Sequence, residues 1–141
     1  MSKLDVMYSS KTEEWATPQA FFEILNAVFH FTLDPCATPD NAKCAKFYTK
    51  EQNGLLQDWG GERVFCNPPY GKVIADWVRK CSEEAKKPNT IVVALLPART
   101  DTRYFHEYIY RKAKDVQFVK GRLKFGDCKS AAPFPSMVVI F

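Results

Sequence analysis

The chain has 141 residues, of which 46% are hydrophobic and 14% aromatic, and its formal net charge is +4. That length and composition predict one globular domain with a single core and exclude an intrinsically disordered chain. No apolar run approaches the roughly 18 residues that a membrane-spanning helix needs, and the polar N-terminus lacks the apolar core of a signal peptide. We therefore expect a cytoplasmic protein with no membrane partner.

The first predicted element is a helix. The polar residues 1–13 predict a flexible tail, which leaves residues 14–141 as a single domain. Thr17 is a good helix cap and Pro18 suits the first helical position. Apolar residues at helical spacing then predict one buried helix face. The residues of that face are Phe21, Ile24, Leu25, Val28 and Phe29.

The rest of the chain alternates strands with helices. Strands are predicted at residues 31–34, 46–49, 63–66, 91–96, 116–119, 123–125 and 137–141, and helices at residues 74–85 and 101–112. This alternation predicts an α/β domain with a mostly parallel sheet, and the last strands, which no helix separates, predict an antiparallel end. The continuous apolar run at residues 91–96 is typical of a strand buried on both faces.

Three polar, turn-rich segments directly follow predicted strands, at residues 34–37, 67–70 and 97–99. In sheets of this kind, ligands bind outside the carboxyl ends of the strands. The three segments meet at that same edge, so the sequence predicts a functional site there.

The segment Asn67-Pro68-Pro69-Tyr70 stops a buried strand abruptly. Two prolines fix the backbone and remove two N–H donors, so the neighbouring carbonyl groups are free to act as acceptors. Asn67 adds an amide oxygen, and Tyr70 adds a flat aromatic face. Together they predict a socket for a planar group that carries an amine, such as adenine, with acceptors for its hydrogens and a ring for stacking.

Such a socket needs no strong base. Acceptors that hold both amine hydrogens pull the nitrogen toward tetrahedral geometry and restore its lone pair for attack on an aligned methyl donor. Because the amine of adenine takes part in base pairing, the base must first swing out of the duplex.

These residues, together with others along the chain, resemble the phage-type DNA N-6-adenine methyltransferases, amino-group methyltransferases with an Asn-Pro-Pro-Tyr motif. The resemblance extends from about Glu14 to the last residue. The other segments that carry it are residues 14–18, 33–37, 41–44, 53–55, 96–101, 121–125 and 132–136.

The resemblance implies a Rossmann-like methyltransferase fold, S-adenosyl-L-methionine (SAM) as the methyl donor and double-stranded DNA as the partner. It also implies a phage or prophage origin in a bacterial host. The motif residues Asn67, Pro68, Pro69 and Tyr70 correspond to the amine-binding, catalytic segment of the family.

Three further segments correspond to the parts of these enzymes that bind SAM. Trp15, Thr17 and Pro18 match the N-terminal contact segment. Asp34 and Pro35 match the first-strand motif that cradles the methionine part. Asn53 stands where many adenine methyltransferases have an acidic residue facing the SAM adenine, and an amide could make the same contact.

Basic residues are frequent in the last third of the chain. We expect Arg99, Arg122 and Lys124 to contact DNA, although a solvated surface also explains such charges. Some site residues have structural alternatives as well: Asp34 as a strand-end cap, Trp15 as a core aromatic and Arg99 as a helix cap.

Five cysteines are an odd number, and no two form a C-x-x-C pair. Neither His30 nor His106 has a ligand-like spacing to a cysteine. We predict reduced, mostly buried thiols and no metal site, and we expect both histidines to be structural.

Two other functions fit the same residues. One is a methyltransferase for another planar amine, such as cytosine, an RNA base or a glutamine side chain. The other is a methyltransferase-fold module that binds nucleic acid or regulates without turnover. The asparagine at the first motif position and the phage-type flanking segments favour adenine in DNA.

Overall fold

The computed structural model describes residues 15–126 and 132–141, so the predicted tail at residues 1–13 lies outside the described residues. In chain order the elements are α1 (Gln19–Phe29), β1 (Leu33–Asp34), β2 (Lys46–Phe47), a 3₁₀ helix (Gly54–Leu56), β3 (Arg63–Cys66), α2 (Ile74–Glu84), β4 (Ile91–Pro97), a π-helical turn (Phe105–Ile109), β5 (Asp115–Phe118) and β6 (Ser136–Ile140).

The strands form one six-stranded sheet in the order β2-β1-β3-β4-β6-β5. The first four strands along the chain run parallel, whereas β6 lies antiparallel between β4 and β5. A mixed α/β domain with a mostly parallel sheet and an antiparallel end is therefore confirmed. From β1 the chain passes to β2 at one edge of the sheet and then returns to β3, which lies on the other side of β1. The direction in which strands are added therefore reverses between β1 and β3.

The core is centred on β3 and β4. Residues 92–97 of β4 are buried, as the apolar run predicted, and residues 64–66 of β3 are buried beside them. Helix α2 packs on β4 and buries a face that contains Trp77 and Val78. Full burial of one such large apolar side chain contributes about 1.5–3 kcal/mol. Cys66 and Cys81 also lie in this core, whereas Cys36 and Cys44 are only partly buried.

Helix α1 differs from its prediction at its start and along its face. It begins at Gln19, with Pro18 as the N-cap and no side-chain cap. Its buried residues are Phe22 and Leu25, and Phe22 packs edge-to-face on Phe65 with ring centroids 5.1 Å apart. The predicted face was therefore wrong on the solvent side: Ile24 and Val28 are 68% and 70% exposed. In residues 15–126 and 132–141, no helix is long and apolar enough to cross a membrane.

Two predictions near the C-terminus were also wrong. The helix expected at residues 101–112 is mainly the short π-helical turn, whose buried residues are Phe105 and Ile109. The strand expected at residues 123–125 is irregular. Its alternation of exposed Lys124 and buried Phe125 arises because the Phe125 ring packs on Trp15, not because the backbone joins the sheet.

Candidate active site

A cavity of about 660 Å³ lies at the carboxyl ends of β1 and β3, where the order of the sheet switches. Its volume is within the range of small-molecule sites, and its position is the one that open α/β sheets use for ligands. Four separate segments of the chain contribute to it. The predicted site residues that line it are Trp15, Thr17, Asp34, Pro35, Asn53, Asn67, Pro68 and Pro69.

Asp34 ends β1 and lines the cavity with only 4% of its surface exposed. Its carboxylate oxygens accept the backbone N–H groups of Cys36 at 3.3 Å and of Lys43 at 3.0 Å. Burial raises the pKa of the Asp34 carboxyl to about 6, and these two hydrogen bonds and the Lys43 charge offset only part of that effect. The side chain therefore holds the turn after β1 and also places a titratable charge at the cavity.

Asn67 follows β3 and lines the same cavity. Its amide nitrogen donates to the carbonyl oxygen of Trp15 and, at 2.9 Å, to Oγ1 of Thr17. Its amide oxygen is buried and has no hydrogen-bond partner among the residues that the structure describes. An unpaired buried acceptor costs about 1–3 kcal/mol, so this oxygen is suited to accept a donor from a ligand.

The two prolines after Asn67 extend the acceptor-rich wall. Pro68 and Pro69 both line the cavity, and because proline has no backbone N–H donor, their main chain offers only acceptors. The chain then turns at Gly71, whose φ of +114° is open to glycine but strained for other residues, before α2 begins. Local sequence thus places the motif at the edge of the sheet.

Tyr70 occupies a different place from the one that the motif suggested. It is 6% exposed and does not line the cavity. Its hydroxyl donates to the carbonyl oxygen of Leu95 at 3.0 Å, and its ring packs edge-to-face on Phe134 and Phe125, with centroids 5.4 and 6.4 Å away. Burial raises the pKa of Tyr70 well above its usual range. Here Tyr70 anchors the motif to β4, and base stacking on its ring stays a prediction.

The N-terminal segment reaches the cavity through two of its three predicted residues. Trp15 and Thr17 line it, whereas Pro18 serves as the N-cap of α1 and does not. Thr17 is no helix cap, because its hydroxyl oxygen accepts from Asn67 instead. The Trp15 ring packs edge-to-face on Phe125 and Phe134, at 5.6 and 5.3 Å. Trp15 is thus both a packing residue and part of the cavity wall.

Asn53 lines the cavity at the start of the 3₁₀ helix. Its φ of +56° is uncommon for a residue with a side chain, and its amide oxygen accepts the N–H of Leu55 at 3.1 Å. The amide nitrogen and the second lone pair of the amide oxygen are the groups of this side chain that a ligand can use. The next residue, Gly54, lies so close to β1 that an added Cβ would be 2.1 Å from the carbonyl oxygen of Pro35.

Other residues of the cavity were not predicted as site residues, and Lys43 and Trp77 are two of them. Lys43 lines it and donates its backbone N–H to Asp34, while its ammonium donates to Gln19 at 2.8 Å. Lys43 belongs to the family-like segment 41–44, which was the available signal. Trp77 also lines the cavity, but helical spacing assigned it only to the core, because spacing does not distinguish a core face from a cavity wall.

The three residues predicted to bind DNA are exposed, and none of them lines the cavity. Arg99 follows β4 at the same edge of the sheet. Arg122 donates to the carbonyl oxygen of Ala132 at 3.2 Å, and Lys124 precedes the buried Phe125 that packs on Trp15. Their contact with DNA stays a prediction.

Comparisons with known proteins agree on one family. The model of the family described as DNA N-6-adenine-methyltransferase (Dam) matches residues 6–141. The DNA N-6-adenine-methyltransferase of Haemophilus phage HP1 (strain HP1c1) is 32% identical over 149 residues, which cover 100% of this chain and 84% of that protein. The DNA N-6-adenine-methyltransferase of Escherichia phage T1 is 36% identical over 95 residues, which cover 66% of this chain and 39% of that protein.

Proposed function

The chain belongs to the DNA N-6-adenine-methyltransferase (Dam) family, and we propose that it methylates the exocyclic N6 amine of adenine in DNA at the wall of the cavity formed by Asn67, Pro68 and Pro69. The family match covers nearly the whole chain, and two phage relatives carry the name of this activity. Because both relatives are phage proteins, we also propose a phage or prophage origin and activity in the cytoplasm of a bacterial host.

The residues of the cavity fit SAM as the methyl donor. SAM carries positive charge at its sulfonium and ammonium groups, and the buried carboxylate of Asp34 would complement such charge in a site of low dielectric constant. Trp15, Thr17, Pro35 and Asn53, which also line the cavity, would contact the rest of the cofactor. When bound, SAM supplies an activated methyl group.

The mostly parallel sheet, with the cavity at the point where its order switches, supports a Rossmann-like methyltransferase fold. In this fold the polar groups of the site lie on turns that adjacent strands hold in place. Asp34 is the last residue of β1 and Asn67 directly follows β3, so adjacent parallel strands hold both residues. A methyl donor and a methyl acceptor held by these two turns would be aligned without any large movement of the sheet.

The observation that carries the proposal is the amide oxygen of Asn67, which is buried and has no partner in the part of the chain that the structure describes. It would accept one hydrogen of the adenine amine, and a carbonyl oxygen of the proline segment would accept the other. The hydrogens of the amine become more acidic as its nitrogen is methylated, so these hydrogen bonds strengthen toward the transition state and favour catalysis. The chain then needs only to hold the amine in place. The proton that the methylated nitrogen releases passes to water or to solvent-exposed groups.

The target base must leave the duplex to reach this wall, so a second set of residues is needed to hold the DNA while the base is out. Arg99, Arg122 and Lys124 would bind phosphates of double-stranded DNA next to the cavity and hold the distorted strand. Phosphate contacts of this kind supply affinity and orientation without reading sequence.

A substrate panel with radiolabelled SAM tests the proposal. Duplexes of equal length with adenine, with adenine replaced by its N6-methyl form, or without adenine would be compared with RNA and with a glutamine-containing protein. We expect incorporation only into duplexes with unmodified adenine. Label in cytosine, RNA or protein would identify a different planar amine as the substrate, and SAM binding without incorporation anywhere would favour a module without turnover.

A further inference from the structure

The side-chain amide of Asn67 is held by residues that precede it by about fifty positions in the chain. Its nitrogen donates to the carbonyl oxygen of Trp15 and to Oγ1 of Thr17. An amide nitrogen has two hydrogens, so these two acceptors use its full donor capacity. Only the amide oxygen is then left to interact with anything else.

The orientation of this amide follows from the chemistry of its neighbours. A backbone carbonyl oxygen accepts hydrogen bonds and cannot donate them. If the amide of Asn67 were turned over, its oxygen would face the carbonyl oxygen of Trp15, and two acceptors would be in contact. The nitrogen must therefore face Trp15 and Thr17.

The acceptors themselves are firmly held. Thr17 is 5% exposed, and the carbonyl oxygen of Ala16 accepts the N–H of Gly126 at 2.8 Å. The ring of Trp15 packs between Phe125 and Phe134 of the C-terminal part of the chain. Burial and packing reduce the freedom of both acceptors, so they can fix the amide that they bind.

We infer that Thr17 is a positioning residue: together with the Trp15 carbonyl, its hydroxyl orients the Asn67 amide so that the oxygen is presented to the methyl-accepting amine. This inference rests on the proposed function. It also makes the nitrogen of Asn67 as necessary as its oxygen. Aspartate at position 67 would keep acceptor oxygens but would place one of them against the Trp15 carbonyl.

Three variants test this role. Thr17→Val keeps the shape of the side chain and removes the acceptor, Thr17→Ser keeps the hydroxyl, and Asn67→Asp keeps the acceptor oxygens of Asn67. Thr90→Val is the matched control. Thr90 is also buried and its hydroxyl forms hydrogen bonds with Gly61 and Pro88, but it lies before the amino end of β4, at the opposite edge of the sheet from the cavity.

Single-turnover methylation rates at saturating SAM and DNA, with SAM affinity measured by calorimetry, supply the first readout. We expect Thr17→Val and Asn67→Asp to lower the rate about tenfold or more, while Thr17→Ser stays within about threefold of wild type. Valine keeps the surface that Thr17 presents to the cavity, and the Thr17 hydroxyl binds Asn67, so SAM affinity should change less than about threefold in Thr17→Val. Thr90→Val should lower the unfolding temperature and leave the rate unchanged.

The second readout does not depend on activity. The side-chain NH₂ signals of Asn67, identified by their absence in Asn67→Ala, should exchange slowly with water in the wild type and faster in Thr17→Val. Wild-type rates in Asn67→Asp, or a Thr17→Val defect that saturating SAM restores, would overturn the inference. If the wild type methylates no adenine, the proposed function fails, whereas unchanged NH₂ exchange in Thr17→Val refutes the positioning role by itself.

Discussion

The turns that follow β1 and β3 lie next to each other at the cavity, and each contributes one polar side chain to its wall. In the first turn both oxygens of Asp34 are already bound to backbone N–H groups of the chain. In the second, the nitrogen of Asn67 is bound, whereas its oxygen has no partner in residues 15–126 and 132–141.

This difference separates two kinds of polar group. A satisfied buried group stabilises its own turn and acts on a ligand mainly through its charge. A buried acceptor without a hydrogen-bond partner destabilises the free protein, and a ligand that donates a hydrogen bond to it removes that cost. We therefore expect substitutions at Asn67 to affect the chemical step, and substitutions at Asp34 to affect stability, its pH dependence and cofactor affinity.

The largest effect should come from Asn67→Ala. Loss of one hydrogen bond that strengthens in the transition state lowers rates by about 10²–10³ in comparable polar sites. Single-turnover methylation of an adenine-containing duplex should fall by that factor, while calorimetry shows SAM affinity within about threefold of wild type. Asn26→Ala, which removes an amide that accepts from Phe31 at the end of α1, is the control and should affect stability only. A rate for Asn67→Ala within threefold of wild type would remove the distinction between the two turns.

The next effect concerns the pH dependence of stability. Burial raises the pKa of Asp34 from near 3.8 to about 6, so the folded protein keeps this proton at pH values where the unfolded chain has lost it. The contribution of Asp34 to stability must therefore fall as pH rises from about 4 to about 6 and then stay level, and each pKa unit is worth about 1.4 kcal/mol. The free energy of unfolding of the wild type minus that of Asp34→Asn should decrease by about 3 kcal/mol across this window. Denaturant titrations at several pH values would measure it, and a flat difference would mean that Asp34 titrates normally.

Asp34 should also affect cofactor binding. A charge-assisted contact is worth about 1–3 kcal/mol, so Asp34→Ala should weaken SAM binding by about 5- to 150-fold in calorimetry while unfolding stays cooperative. Asp40→Asn is the control, since it removes a carboxylate from the same loop at an exposed position. Equal SAM affinity in wild type and Asp34→Ala would exclude this carboxylate from the cofactor site.

A smaller effect is expected at Tyr70, which lies in the same motif as Asn67 but is satisfied like Asp34. Tyr70→Phe removes the hydrogen bond to Leu95, so the free energy of unfolding should fall by about 1–2 kcal/mol with a rate close to that of wild type. Tyr110→Phe, at an exposed position, should change neither quantity. If Tyr70→Phe kept its stability and lost its rate, the hydroxyl would act on the base and not as an anchor.

The smallest effect should come from a surface that belongs to neither turn. Replacing Arg122 and Lys124 with alanine should reduce the slope of log DNA affinity against log salt by about 1–2, because each phosphate contact contributes about 0.9. The rate at saturating DNA should stay the same. Replacing Arg79 of α2 and Lys86, which follows that helix, with alanine changes the net charge equally and should leave the slope as in wild type. Equal slopes for both double variants would place the DNA elsewhere.

Much of the fold was predictable from local patterns. β3 was located from its apolar residues and from the prolines that stop it, and the run that forms β4 identified a strand buried on both faces. Most of the predicted cavity residues also meet as expected, because the carboxyl ends of parallel strands share one edge. These features depend on residues that are close in sequence, so the sequence by itself determined them: the α/β class, the central strands and the edge at which the site lies.

Tertiary structure decided what happens to side chains whose partners are distant in sequence. Thr17 has the pattern of a helix cap, yet its hydroxyl oxygen accepts a hydrogen bond from Asn67. The Tyr70 ring packs on Phe134, a contact that the motif does not predict, and base stacking on this ring stays a prediction. Likewise, residues 123–125 alternate like a strand but are irregular, because the Phe125 ring finds a buried place beside Trp15. Alternation, capping and aromatic motifs specify which groups need a partner or burial. Which partner each group finds depends on contacts that form only when distant segments pack together.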